Sequence, residues 1–184
     1  MNGLILLADG FELVEAYTPV DILRRGQQGI LTVSISSSLE VISNIGVKVL
    51  ADTTLSQIDY RDFEFVILPG GLKGVNNLKN DTRVLDLLKY YNQNNKFIFA
   101  ICAAPSILIG LNFLSNKVYS CYPGCDINTN GTNTLNPFTR SSQTILTAKS
   151  MYYSNDFGLE ILEIIAGKEI RDDVENSIRG HKSK

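Results

Sequence analysis

Five short apolar runs, separated by segments with helical rhythm, restrict the folds open to this chain. LILLA (4–8), ILTVSI (30–35), FEFVILPGG (63–71), KFIFAIC (96–102) and TILTA (144–148) are short for helices and too uniformly apolar for strands with one wet face. They read as strands buried on both sides. Between Glu12 and Arg25, Leu13, Ala16, Tyr17, Val20 and Leu23 recur at helical spacing. Pro19 within that stretch predicts a bend, because proline lacks a donor and crowds the preceding turn. Asp81 is placed to cap a helix running to about Asn92, with Val84, Leu85, Leu87 and Leu88 on its apolar face. APSILIGL (104–111) reads as a short helix, and DFGLEILEIIAGKEI (156–170) as an amphipathic one stopping near Gly167. GVKVLAD (46–52) and KVYSCYP (117–123) are further strand candidates, and Asn130-Gly131 suits a two-residue hairpin turn.

Strands alternating with helices predict an α/β domain: a mainly parallel sheet with helices on both faces. We expect one domain over residues 1–176 and a flexible tail over 177–184 that holds the only histidine, His181. The first apolar run is broken by Asp9 and has no basic leader, so neither a membrane span nor a signal peptide is expected, and the chain reads as cytoplasmic. Three cysteines, an odd number, do not make a disulfide framework. Seventeen basic against nineteen acidic residues, a net charge of -2, give no basic face for nucleic acid.

In a parallel sheet, ligands bind beyond the carboxyl ends of the strands. Three runs end in Asp9-Gly10, Pro69-Gly70-Gly71 and Cys102, so these residues should share one rim. Cys102 stands at a strand-to-helix joint, the position of a nucleophile elbow. Ala103 and Ala104 permit the tight turn, and Pro105 suits a first helical position. A helix N-terminus favours negative sulfur, which predicts a lowered thiol pKa and a nucleophilic, oxidisable thiolate. Gly70 and Gly71 leave backbone N–H groups uncovered for an oxyanion, and Glu12 and Glu15 open the first helix within reach of the rim. Singly, these features have plain structural explanations: a small core residue, a tight turn, solvated glutamates.

Together they are more specific. GFELVEAYTPVD (10–21), FVILPGG (65–71), AICAAPSIL (100–108) and AGKEI (166–170) resemble, in that order, the ThiJ/PfpI superfamily. The similarity is to the small branch containing the parkinsonism-associated protein deglycase and its bacterial relatives. It runs from about Leu4 to about Val174. The resemblance implies a flavodoxin-like three-layer α/β/α sandwich and a homodimer, with no cofactor and no metal. It places the reactive cysteine at Cys102 and a protonated acid hydrogen-bonded to the sulfur at Glu15. The oxyanion-binding backbone falls at Gly70, Gly71 and Ala103. Activities attributed to that branch are glutathione-independent glyoxalase, deglycation of early glycation adducts, and chaperone or redox-stress roles.

Two positions depart from the superfamily. Members with a third catalytic residue carry histidine before a proline, where this chain has Tyr122 before Pro123. With a pKa near 10, tyrosine is a poor general base, so proton transfer falls to Glu15. The protease-like branch has histidine after the cysteine, where Ala103 stands here, and glutamine amidotransferases need a downstream histidine and glutamate. Neither chemistry is expected. Cys121 and Cys125 lack the two-residue gap of common zinc and thiol–disulfide motifs. Cys121 is either a pocket residue that resolves oxidised Cys102 or, like Cys125, passive. Two functions follow as expectations: an enzyme acting on small carbonyl substrates such as methylglyoxal, or a redox-sensing or chaperone-like protein switched by oxidation of Cys102.

Overall fold

The computed structural model describes residues 1–181. Strand β1 (Asn2–Leu7) leads through helix α1 (Leu13–Arg25) to β2 (Gly29–Ser34). A small hairpin follows, β3 (Glu40–Ile42) with β4 (Lys48–Leu50), and then β5 (Thr53–Thr54) and β6 (Phe65–Leu68). Helices α2 (Leu72–Asn80) and α3 (Thr82–Gln93) precede β7 (Phe97–Ile101) and α4 (Pro105–Gly110). The chain continues through β8 (Val118–Tyr119), β9 (Thr132–Asn133), β10 (Phe138–Arg140) and β11 (Ile145–Ala148) to α5 (Ser154–Ala166) and α6 (Lys168–Ile178). Among the described residues, no helix is long and apolar enough to cross a membrane.

Seven strands form one sheet in the order β10-β11-β7-β6-β1-β2-β5. Every pairing in it is parallel except β10 with β11. All five apolar runs lie in this sheet, and period-two alternation sorts their side chains onto two faces. Leu4, Leu6, Val66, Leu68, Ile98 and Ala100 pack with the buried residues of α2, α3 and α4. Ile5, Leu7, Phe65, Ile67, Phe99 and Ile101 pack with those of α1 and α5. The result is the expected three-layer sandwich. Each fully buried Leu, Ile, Val or Phe contributes about 1.5–3 kcal/mol, so the sheet's double burial is its main source of stability.

Helix α1 is unbroken across Pro19. That residue is buried, and Gly158 of α5 sits where an added Cβ would lie 3.2 Å from Pro19 Cα and 2.8 Å from Ile22 Cδ1. Close packing against α5 thus holds the helix through the position where its ladder lacks a donor. Asp81 caps α3 by accepting from the Arg83 N–H at 2.9 Å, as its position predicted.

Other expectations need correction. The strand expected over 46–52 is the short β4, which pairs with β3 in the hairpin and not in the main sheet; the chain joins that sheet just beyond the segment, as β5. Only Val118–Tyr119 of 117–123 is strand, and it pairs in parallel with β9. Asn130-Gly131 therefore makes no two-residue hairpin, and neither residue has the positive φ that such a turn requires. The boundary expected at residue 176 falls inside α6, whose closing hydrogen bonds reach His181. Of the expected tail, residues 182–184 lie outside the described residues.

Candidate active site

The carboxyl ends of β1, β6 and β7 are neighbours in the sheet, and the loops leaving them meet over one crevice. After β7 the chain turns at Cys102 with φ 63°, a left-handed conformation costing a non-glycine residue roughly 1–2 kcal/mol. Three contacts hold it. The Cys102 N–H donates to Ala148 O at 2.9 Å, and its carbonyl accepts from the Tyr122 N–H at 2.8 Å and from the Cys121 thiol at 3.4 Å. At about 0.5–1.5 kcal/mol per hydrogen bond, these offset the strain and fix the elbow. Pro105 opens α4, as the sequence suggested.

Glu15, in the first turn of α1, is fully buried. Its Oε2 accepts from the Gly70 N–H at 2.8 Å, while Oε1 is buried without a hydrogen-bond partner. Gly70 lies between acid and thiol. A Cβ there would overlap the Glu15 carboxylate and come within 2.7 Å of Cys102 Cβ. At Gly71, φ is 87°, and a Cβ would meet Glu12 N at 2.8 Å. The glycine pair therefore serves two purposes: one residue makes room for the acid–thiol pair, and the other docks the β6 loop onto the start of α1.

Burial dominates the proton affinities. It raises the Glu15 carboxyl from 4.5 to about 7, against the lowering effects of Cys102 and the Gly70 N–H, and Glu12 adds a further upward push. It also raises the Cys102 thiol. The neighbouring Glu15 carboxylate pushes the same way, and only the Ala103 N–H pulls the thiol down. The lowered thiol pKa expected from the helix N-terminus is thus overturned. Helix α4 spans only six residues, and the one amide that lowers the thiol, that of Ala103, lies before it; together they are too little to outweigh desolvation and a neighbouring carboxylate.

A cavity of about 620 Å³ opens over these groups and is lined by Glu15, Gly71, Cys102, Ala103 and Tyr122. The Gly70 N–H, expected to be free for an oxyanion, is engaged by Glu15. Those of Gly71 and Ala103 donate to no protein oxygen among the described residues. Tyr122 is half-exposed on the wall. Of the two places open to Cys121, the pocket is not the one it takes: it is fully buried in the core with its thiol against the Cys102 carbonyl. Burial pushes the Cys121 thiol up to about 12. Cys125 sits half-buried on the turn closed by its N–H to Tyr122 O, at 3.1 Å, outside the cavity lining. His181 is exposed beyond α6 and takes no part in the lining. Among the described residues, no three of His, Cys, Asp and Glu gather around a common metal position.

Sequence reasoning missed Asn44, Leu72, Lys73, Ser150, Met151 and Tyr152, which together with Glu12 complete the cavity. Met151 and Tyr152 follow β11, the strand beside β7, so the strand-end rule applied to that run would have found them.

The chain is similar to known proteins in sequence and fold. The DJ-1/PfpI family pattern matches residues 2–164. Protein dj-1beta of Drosophila melanogaster is 31% identical over 170 residues, covering 91% of each chain. The crystal structure of Drosophila melanogaster DJ-1beta superposes with a TM-score of 0.90 at 29% identity, covering 97% of this chain and 98% of that one. Protein DJ-1 homolog B of Arabidopsis thaliana is 27% identical over 90% of this chain, which spans only 38% of that longer protein. The family match over most of the chain and the similarity to these relatives agree: the chain belongs to the DJ-1/PfpI family.

Proposed function

We propose that this protein is a cofactor-independent, stress-protective enzyme of the cytoplasm that converts reactive 2-oxoaldehydes, methylglyoxal being the simplest substituted one, to 2-hydroxy acids. The supporting observation is Cys102 on its strained elbow beside a buried Glu15 whose pKa near 7 matches neutral operation. Because both acids are raised, sulfur is activated during attack instead of resting as a thiolate. The Glu15 carboxylate takes the thiol proton as Sγ bonds to the aldehyde carbon. The aldehyde oxygen, held by the Gly71 and Ala103 N–H groups, then takes up that proton to give a hemithioacetal. Glu15 next removes the proton from the former aldehyde carbon and returns it to the ketone carbon through an enediol, while the hydroxyl proton on the former aldehyde oxygen passes to the ketone oxygen, leaving a 2-hydroxy thioester. Water cleaves the C–S bond, releasing the hydroxy acid and restoring the thiol. The aldehyde carbon is oxidised and the ketone carbon reduced, so no outside electron carrier enters. Glycation adducts of the same aldehydes, a deglycase-type substrate, would meet the same nucleophile. The proposed unit is a homodimer, checked by sedimentation equilibrium.

The test is direct. Purified protein is incubated with methylglyoxal and lactate is followed. Turnover abolished in Cys102→Ala supports the proposal; equal turnover in that variant refutes it.

A second function, redox sensing with or without chaperone activity, is favoured by one observation: Tyr122, not a histidine, occupies the pocket wall. Peroxide titration with intact-mass measurement separates the two. Oxygen added selectively at Cys102 without dicarbonyl turnover selects the sensor.

A further inference from the structure

The cavity over Cys102 is far larger than a three-carbon dicarbonyl needs. At about 620 Å³ it falls among pockets that enclose ligands of drug-like size. Its outer wall is apolar and comes from three separate strand-end loops. Leu72 at the start of α2 is 68% exposed, Tyr122 is 48% exposed, and Met151 and Tyr152 after β11 are 48% and 85% exposed. Tyr152 stacks edge-on against Tyr153, with ring centroids 5.1 Å apart, which limits its freedom to fold away. Large apolar side chains gathered at a pocket mouth mark a binding surface. Besides Glu15, the lining carries Glu12 and Lys73. Their opposite signs give no preference for a charged substrate. Polar groups occupy the opposite end: the Cys102 thiol with the Gly71 and Ala103 amides. A substrate is thereby oriented with its aldehyde inward and the substituent on its ketone carbon outward against the apolar wall.

Resting on the dicarbonyl chemistry proposed above, we infer that the preferred substrates are 2-oxoaldehydes bearing an aryl or bulky alkyl group, with Leu72, Met151 and Tyr152 setting that preference. The reaction is the one already balanced, with the ring or alkyl group carried through unchanged into the hydroxy acid.

The chain has two methionines, Met1 and Met151, so ¹³C-methyl-methionine labelling places one reporter on the pocket wall. Two readouts are combined. The first is kcat/KM for phenylglyoxal and methylglyoxal in wild type, Leu72→Ala and Tyr152→Ala, both substituted side chains being exposed. The second is the Met151 methyl signal on addition of mandelate or lactate, the unreactive products. The expected result is a phenylglyoxal preference of about tenfold or more that falls about tenfold in each variant, with mandelate, not lactate, shifting Met151. Equal kcat/KM for the two substrates with Met151 unmoved overturns the inference and leaves the dicarbonyl chemistry standing. Turnover of neither substrate with Met151 still shifted by mandelate refutes that chemistry and supports an apolar ligand pocket. A Met151 signal that follows protein concentration and ignores mandelate overturns the inference, because the wall would then be an interface between copies.

Discussion

Replacing Glu15 with glutamine should change the way stability depends on pH. The native carboxyl is held at about 7 against 4.5 when solvated. Between those values the folded protein keeps a proton that the unfolded chain has released. An acid raised on folding contributes its full stability below the unfolded value and loses it as pH rises through the folded one. The difference corresponds to about 3 kcal/mol against the native state, fully developed above pH 7. The Glu15→Gln variant retains an oxygen to accept from the Gly70 N–H and has no proton to lose. Urea unfolding of both proteins from pH 4.5 to 8 measures the effect. Wild type should lose about 3 kcal/mol relative to the variant across that range, with most of the change before pH 7. Asp52 and Asp81, both held below their usual 3.8, titrate under the window and do not imitate it. Parallel curves for the two proteins would refute the reasoning, since Glu15 would then be titrating as a solvated carboxyl.

Three more outcomes are expected. Gly70→Ala should cost about 1–3 kcal/mol by overpacking and abolish dicarbonyl turnover, because its Cβ would wedge Glu15 from Cys102; denaturation and lactate formation check it. The kcat/KM of turnover should rise with pH to a plateau with a midpoint near 7, as Glu15 becomes a competent base, and this rise should vanish in Glu15→Gln. Cys121→Ala should lower stability by about 1 kcal/mol through loss of the bond to the elbow carbonyl. It should leave the peroxide-induced mass gain at Cys102 intact, whereas a resolving thiol would alter the product.

The sheet was legible because double burial writes itself as unbroken apolar runs, and all five runs became strands. The elbow was legible for a related reason: Ala103, Ala104 and Pro105 suit that tight turn. Helix α2 was not, since GLKGVNNLKN has little apolar face and contains Gly74. That glycine is there for closeness: an added Cβ would meet Phe11 N at 2.7 Å. Helix α6 buries only Val174, too little to write a periodicity. The sign of the thiol's pKa shift was hidden as well. Sequence shows a helix start near Cys102, but the depth at which Glu15 lies beside it is a tertiary fact. For the same reason Tyr122 and Cys121, adjacent in sequence, could not be assigned to opposite sides of one segment without the surrounding fold.

The central claim is that Cys102 and Glu15 form a buried pair in which the acid governs the sulfur's proton. The rate of Cys102 alkylation by iodoacetamide against pH, in wild type and Glu15→Gln, tests it most directly. The wild-type midpoint should lie above that of a free thiol and move down when the carboxylate is removed. A wild-type midpoint below 7, unchanged in the variant, would contradict the account.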